Sequence, residues 1–289
     1  MIIDNLFNRS GQQEFTWQSK HIKFFLDLKG IGPSAVEKII EINPDIEQWD
    51  REYVASQSTN YEKTMHLLKD IEEIPSLKEL NIEKSTAVVG SRKIIPETAE
   101  VVGEFVSKAS SLNLSIISGL ANGVDEKAHI SALENNSKTV AVLPSSLDNI
   151  LPQSNRGLAK EIVENEGLLI TEYQPGSPRN PDKSNYTERN RIQAGLSDLV
   201  FIAQSGMPGG TMTTAKHAID NERKIITYSS KNNIEEYAGN RYLTTPLNES
   251  FDFTKMNFTK SQISTLLNKE FLADFIFEDI NEINLNSIL

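Results

Sequence analysis

Four turns in this sequence bring together residue types that can hold an anion. Val89-Gly90-Ser91-Arg92 combines a glycine that permits a sharp turn with a guanidinium just beyond it. Ser118-Gly119-Leu120-Ala121-Asn122-Gly123-Val124-Asp125 is built of small residues ahead of an amphipathic stretch, an arrangement that leaves backbone N–H groups open to a phosphate. Gly206 to Ala215 is a second glycine-rich loop, followed by the hydroxyls of Thr211, Thr213 and Thr214. It lacks the Gly-Lys-Ser/Thr of a P-loop and the G-x-G-x-x-G of a dinucleotide fingerprint. The last turn runs from Lys183 through Tyr186 to Arg189-Asn190-Arg191. Arginine forks grip phosphate, asparagine reads an edge and tyrosine stacks on a base. With a helix expected to begin at Glu188, the two arginines oppose its macrodipole, which favours an external anion. Asp125 reads as a helix cap, and His129, with no partner at metal-ligand spacing, as a structural hydrogen-bonder.

These turns need a frame that points them to one place. Short apolar runs at Thr86–Gly90, Leu114–Ser118, Lys138–Leu143, Leu168–Tyr173, Leu199–Gln204 and Lys224–Tyr228 read as buried strands. Amphipathic stretches at Glu97–Leu112, Asp125–Asn135, Asn155–Glu166, Glu188–Leu196 and Thr211–Asn221 read as helices between them. Alternation on this scale implies βαβ units, an α/β fold with a parallel sheet covered on both faces. In such sheets ligands bind beyond the carboxyl ends of the strands, where all four turns fall.

The chain has 289 residues, with 29 basic and 40 acidic side chains and a formal net charge of −11. That balance disfavours indiscriminate binding of polyanions. Cysteine is absent, which excludes disulfides, thiolate metal sites and a cysteine nucleophile. No apolar run reaches the ~18 residues of a membrane span, and the first residues lack the pattern of a secretory leader. A cytoplasmic protein is expected. Residues 1–80 read as a small helical domain, in which Leu28 to Val36 has the Gly-Ile-Gly of a helix-hairpin-helix, equally readable as a plain helical hairpin turn. Residues 81–250 form the α/β domain, and 251–289 a short C-terminal tail with no full winged helix.

Together these segments resemble the DprA/Smf family, DNA-processing protein A. The resemblance covers about residues 84–228. It rests on Val89 to Arg92, on Ser118 to His129, on Thr139 to Asn155, on Glu188 to Asp198 and on Gly210 to Ala215, in matching order and spacing. It implies an extended Rossmann-like domain that binds single-stranded DNA, loads a RecA-type recombinase during natural transformation and forms a homodimer. It implies no catalytic activity, no cofactor and no metal. Carried over by position, Arg92, Lys183, Tyr186, Arg189, Asn190 and Arg191 would line the DNA pocket, with backbone contacts from Gly119 and Gly210 and a hydroxyl from Thr211. Arg92, Arg189 and Arg191 would neutralise phosphates and Tyr186 would stack.

The sequence departs from the family pattern at Pro144-Ser145-Ser146, at Tyr186-Thr187, at Gly209-Gly210-Thr211 and at Ser229-Ser230. Two other readings stand beside the main one. Nucleotide phosphoribohydrolases share this type of sheet and a Pro-Gly-Gly loop, but Thr214 occupies the place of their glutamate, which removes the acid/base group. A sensor of a nucleotide-derived signal would keep the anion cradles and need neither catalysis nor a DNA track.

Overall fold

A computed structural model describes residues 84–173 and 181–288. The helix-hairpin-helix expected near Leu28 lies outside the described residues. Six strands appear where the apolar runs place them: β1 (Ser85–Gly90), β2 (Ser115–Ser118), β3 (Thr139–Leu143), β4 (Leu168–Thr171), β5 (Leu199–Gln204) and β6 (Lys224–Tyr228). The helices are α1 (Pro96–Ser111), α2 (Val124–Glu134), α3 (Arg156–Glu164), α4 (Lys183–Gly195), α5 (Gly210–Asp220), α6 (Ala238–Leu243), α7 (Lys260–Leu266) and α8 (Leu285–Ile288). Strand β7 (Phe275–Phe277) comes from the segment that reads in sequence as a tail. It pairs in parallel with β6, Tyr228 opposite Phe277, so this segment completes the sheet edge.

The sheet order is β4-β3-β2-β1-β5-β6-β7, with every neighbouring pair parallel. Alternate side chains along a strand leave opposite faces, so each strand feeds two cores. Ala87, Val89, Val200 and Ile202 pack on one side with Ile192, Met212 and Ala215 from α4 and α5. Val88, Phe105, Val106 and Phe201 fill the other side with α1 and α2. There Phe201 stacks on Phe105 at 4.1 Å between ring centroids and touches Phe277 of β7 at 5.6 Å. All three rings are buried, and each contributes roughly 2–3 kcal/mol of apolar burial. Leu158, Ala159 and Ile162 of α3 cover β3 and β4.

From β1 the chain winds outward through β2, β3 and β4, then returns to β5 on the other side of β1. The β1/β5 junction is therefore the switch point, where two loops leave the carboxyl edge in opposite directions and open a crevice. The loops after β1 and β5 carry Ser91-Arg92 and Ser205-Gly206.

Candidate functional site

A cleft of about 920 Å³ opens at this switch point, between the loop after β1, the loop after β5, and the first turns of α4 and α5. Its supports are hydrogen bonds that hold both loops. The Gln204 side chain donates to the Lys93 carbonyl at 2.8 Å and accepts from the Ile95 N–H at 3.1 Å, which braces the turn carrying Arg92. The Ser91 N–H donates to the Gln204 carbonyl at 2.8 Å. Across the crevice Asn240 accepts from the Ser205 N–H at 2.7 Å and donates to the Tyr228 carbonyl, fixing the start of the β5 loop. Gly123, the residue before α2, adopts φ +86°, where a side chain would be strained and would press on the Arg92 backbone. Asp125 therefore sits inside the first turn of α2 rather than capping it, and its side chain turns inward.

Helix α4 begins at Lys183, five residues ahead of the expected start. Asp182 caps it, accepting from the N–H groups of Ser184 and Asn185 at 2.7 and 3.3 Å, while Asn185 Oδ1 accepts from the Asp182 N–H at 3.0 Å. The Ser184 hydroxyl, which also donates to this carboxylate, and then the two backbone N–H groups hold the Asp182 carboxyl below the usual range. Arg189 and Arg191 consequently lie in mid-helix, and the macrodipole argument for them lapses. At about 100° per residue, Lys183, Tyr186, Arg189, Asn190 and Gln193 share one face of α4, and Arg191 is turned about 160° from Arg189.

The expected site residues thus divide. Arg92, Lys183, Tyr186, Arg189, Asn190, Gly210 and Thr211 all line the cleft. Arg92 and Lys183 are exposed at its mouth. The Arg92 guanidinium lies over the Tyr186 ring, 4.7 Å from its centroid. That cation–π contact orients a cation and an aromatic face together. Arg191 points away from the cleft and pairs with the nearly buried Glu172. The expectation that it neutralises a bound phosphate is not met by this geometry, because the sequence does not reveal which face of α4 it occupies.

Arg189 is inside the wall, 4% exposed. It donates to the Gly119 carbonyl at 2.6 Å and to the Val142 carbonyl, and its Nε donates to Asn190 Oδ1 at 3.3 Å. Asp125, 6% exposed, is its charge partner. Burial pushes the Asp125 carboxyl up and the Arg189 guanidinium down, and each charge offsets the other's cost. Gly119 is needed here for space: a Cβ would collide with the Arg189 guanidinium and lie 2.5 Å from Asp125 Oδ2. Its carbonyl serves Arg189 rather than a ligand. Asn190 is likewise occupied, donating to the Gly210 carbonyl at 3.2 Å and so tying α4 to α5.

The opposite lip is the N-terminus of α5. Gly209 precedes it without a side-chain cap, so the first N–H groups keep their partial positive charge for a bound anion. A Cβ on Gly210 would meet nothing within 4 Å, which leaves that approach open. Arg92, Lys183 and this helix end make a locally cationic mouth on a chain of net charge −11, moderated by the exposed cap Asp182. Among the described residues no group of His, Cys, Asp and Glu could hold a metal ion. His129 is fully buried, its Nδ1 2.7 Å from the Thr139 hydroxyl. That hydroxyl donates to the Ile116 carbonyl, so it accepts from His129, and burial lowers the imidazole pKa to about 3. Sequence reasoning missed the bracing by Gln204 and Asn240, and the cap at Asp182, for which Asp followed three residues later by Asn is a legible signal.

Solved structures share this fold. DNA processing protein A from Streptococcus pneumoniae superposes with a TM-score of 0.59 at 25% identity, over 80% of this chain and 93% of that one. A structure from Helicobacter pylori, described as giving insights into the unique single-stranded DNA binding mode of DNA processing protein A, superposes with a TM-score of 0.53 at 28% identity, over 68% of this chain and 85% of that one. Among curated proteins, Protein Smf from Borreliella burgdorferi is 41% identical over 147 residues, covering 50% of this chain and 45% of its own length. Protein Smf from Synechocystis is 30% identical over 248 residues, covering 78% of this chain and 60% of its own. The chain thus spans about half the length of the curated relatives it matches. The family model for DNA recombination-mediator protein A matches residues 52–250, more than half of the chain, and the chain belongs to that family.

Proposed function

We propose that this protein binds single-stranded DNA in the switch-point cleft and serves as a recombination mediator that delivers the strand to a RecA-type recombinase, acting as a homodimer in the cytoplasm and without catalysis of its own. The observation that carries the reading is the pairing of Arg92 with Tyr186 at the mouth, opposite the uncapped start of α5. A cation, an aromatic face and open N–H groups are what a flexible strand needs: phosphates to the charges, a base to the ring. The family membership and the single-stranded DNA binding described for DNA processing protein A from Helicobacter pylori support the same choice. Arg92, Lys183, Tyr186, Gly210 and Thr211 are the contacts proposed, with Arg189, Asn190 and Gly119 building the wall that holds them. Thr214 in place of a carboxylate argues against nucleotide hydrolysis. A cleft of about 920 Å³ also has room for a nucleotide-sized ligand, which is the second reading.

The test is fluorescence anisotropy with a labelled dT oligomer, repeated at two salt concentrations, with a duplex of equal length as competitor. Two neutralised phosphates predict a roughly 5–10-fold loss of affinity between ~50 and ~200 mM salt. The duplex should bind more weakly, since its bases are not free to stack. Tight binding of a mononucleotide with none of the oligomer would favour the second reading.

A further inference from the structure

The floor of the cleft holds a polar group that the fold leaves unsatisfied. Gln193 is 1% exposed and lines the cleft, and its side-chain Nε2 has no hydrogen-bond partner among the described residues. A buried amide donor without a partner forfeits its hydration for nothing in return, and of the seven such buried side-chain atoms among the described residues this is the one whose side chain lines the cleft. Its depth follows from the course of α4. The helix starts at the carboxyl edge of the sheet with Lys183 and ends near the amino edge. There the Gly195 carbonyl accepts from Arg223 just before β6, and the Leu196 carbonyl accepts from Ser85 at the start of β1. From Lys183 to Gln193 the helix descends about 15 Å. A phosphate would be costly to carry that far from water and has its cations at the mouth. The part of a strand that can reach the floor is therefore neutral, and beside the apolar side chains of Val89 and Ala121 it must offer Gln193 an acceptor.

We propose that Gln193 is a specificity-determining residue that donates from Nε2 to a keto oxygen of a nucleobase inserted into the cleft. This rests on the single-strand reading and places the contact at the 4-position of a pyrimidine, giving a preference for thymine, which has a carbonyl there, over cytosine, which has an amino group there and its carbonyl only at the 2-position. A donor meeting an amino group leaves both unpaired, which is the stronger form of discrimination.

The experiment compares labelled dT, dC and dA oligomers of equal length on the unaltered chain, on Gln193→Leu and on Gln193→Glu, with thermal unfolding as the check that each variant folds. The unaltered chain should favour dT over dC, and Gln193→Leu should lower that ratio roughly tenfold while affinity for dC changes little. Gln193→Glu, which replaces the donor by an acceptor, should lower it further or reverse it. An unchanged ratio, as when the amide serves only an ordered water, or an equal loss on all three oligomers, overturns the assignment. Failure of the unaltered chain to bind any oligomer would instead overturn the single-strand reading itself.

Discussion

The wall and the mouth of the cleft use the same kind of side chain for different purposes. In the wall, Arg189 is buried, bonded to the carbonyls of Gly119 and Val142, and balanced by Asp125. At the mouth, Arg92 is exposed and rests on Tyr186, with its charge available. A guanidinium bonded in this way is committed to the wall, and its removal strands a buried carboxylate. An exposed one contributes little to folding and can give its full charge to a phosphate. Cationic residues within one cleft therefore separate into those that shape it and those that fill it, and exposure with partners, more than proximity, sorts them.

The sharpest way to break this contrast is Arg189→Ala. It leaves Asp125 buried and unpaired and should lower unfolding free energy by about 3–5 kcal/mol, read by denaturant melts. A variant as stable as the parent would mean that the wall is not built on this pair. Next in size is the acid response of His129, packed beneath the same wall. Its pKa falls from 6.5 to about 3 on folding, so the fold holds it neutral while the unfolded chain protonates it. Its contribution is complete above pH 6.5 and is lost as pH falls through the interval down to about 3, with about 2 kcal/mol gone by pH 5. Comparing unfolding at pH 7 and pH 5 for the parent and His129→Gln isolates this share, and equal losses in both would refute it. Arg92→Ala should be smaller still on stability, within about 0.5 kcal/mol, since its side chain is exposed.

Much of this arrangement is legible in the sequence, for reasons that differ by element. Strands β1 to β6 announce themselves because parallel strands buried on both faces are compact apolar runs, as at Ala87 to Val89 and Leu199 to Ala203. Strand β7 is three residues long, and its pairing with β6 is decided by the tertiary fold. The anion turns are legible because glycines at strand ends have few other uses. The start of α4 is not, since Lys183 to Glu188 carries no apolar periodicity, and only the Asp182 cap marks it. At i, i+2 spacing Arg189 and Arg191 diverge in a helix begun at either Lys183 or Glu188, one into the wall and the other toward Glu172. The spacing separates them, and the tertiary packing of α4 decides which of the two faces the cleft.

The most direct measurement is anisotropy of a labelled single-stranded oligomer on Arg92→Ala and Arg191→Ala, side by side at low salt. The geometry predicts a roughly tenfold loss of affinity for Arg92→Ala, which removes a phosphate contact and the partner of Tyr186, and a change within about twofold for Arg191→Ala. Equal losses, or the larger loss at Arg191, would contradict a mouth built on Arg92 and place the strand on the other side of α4.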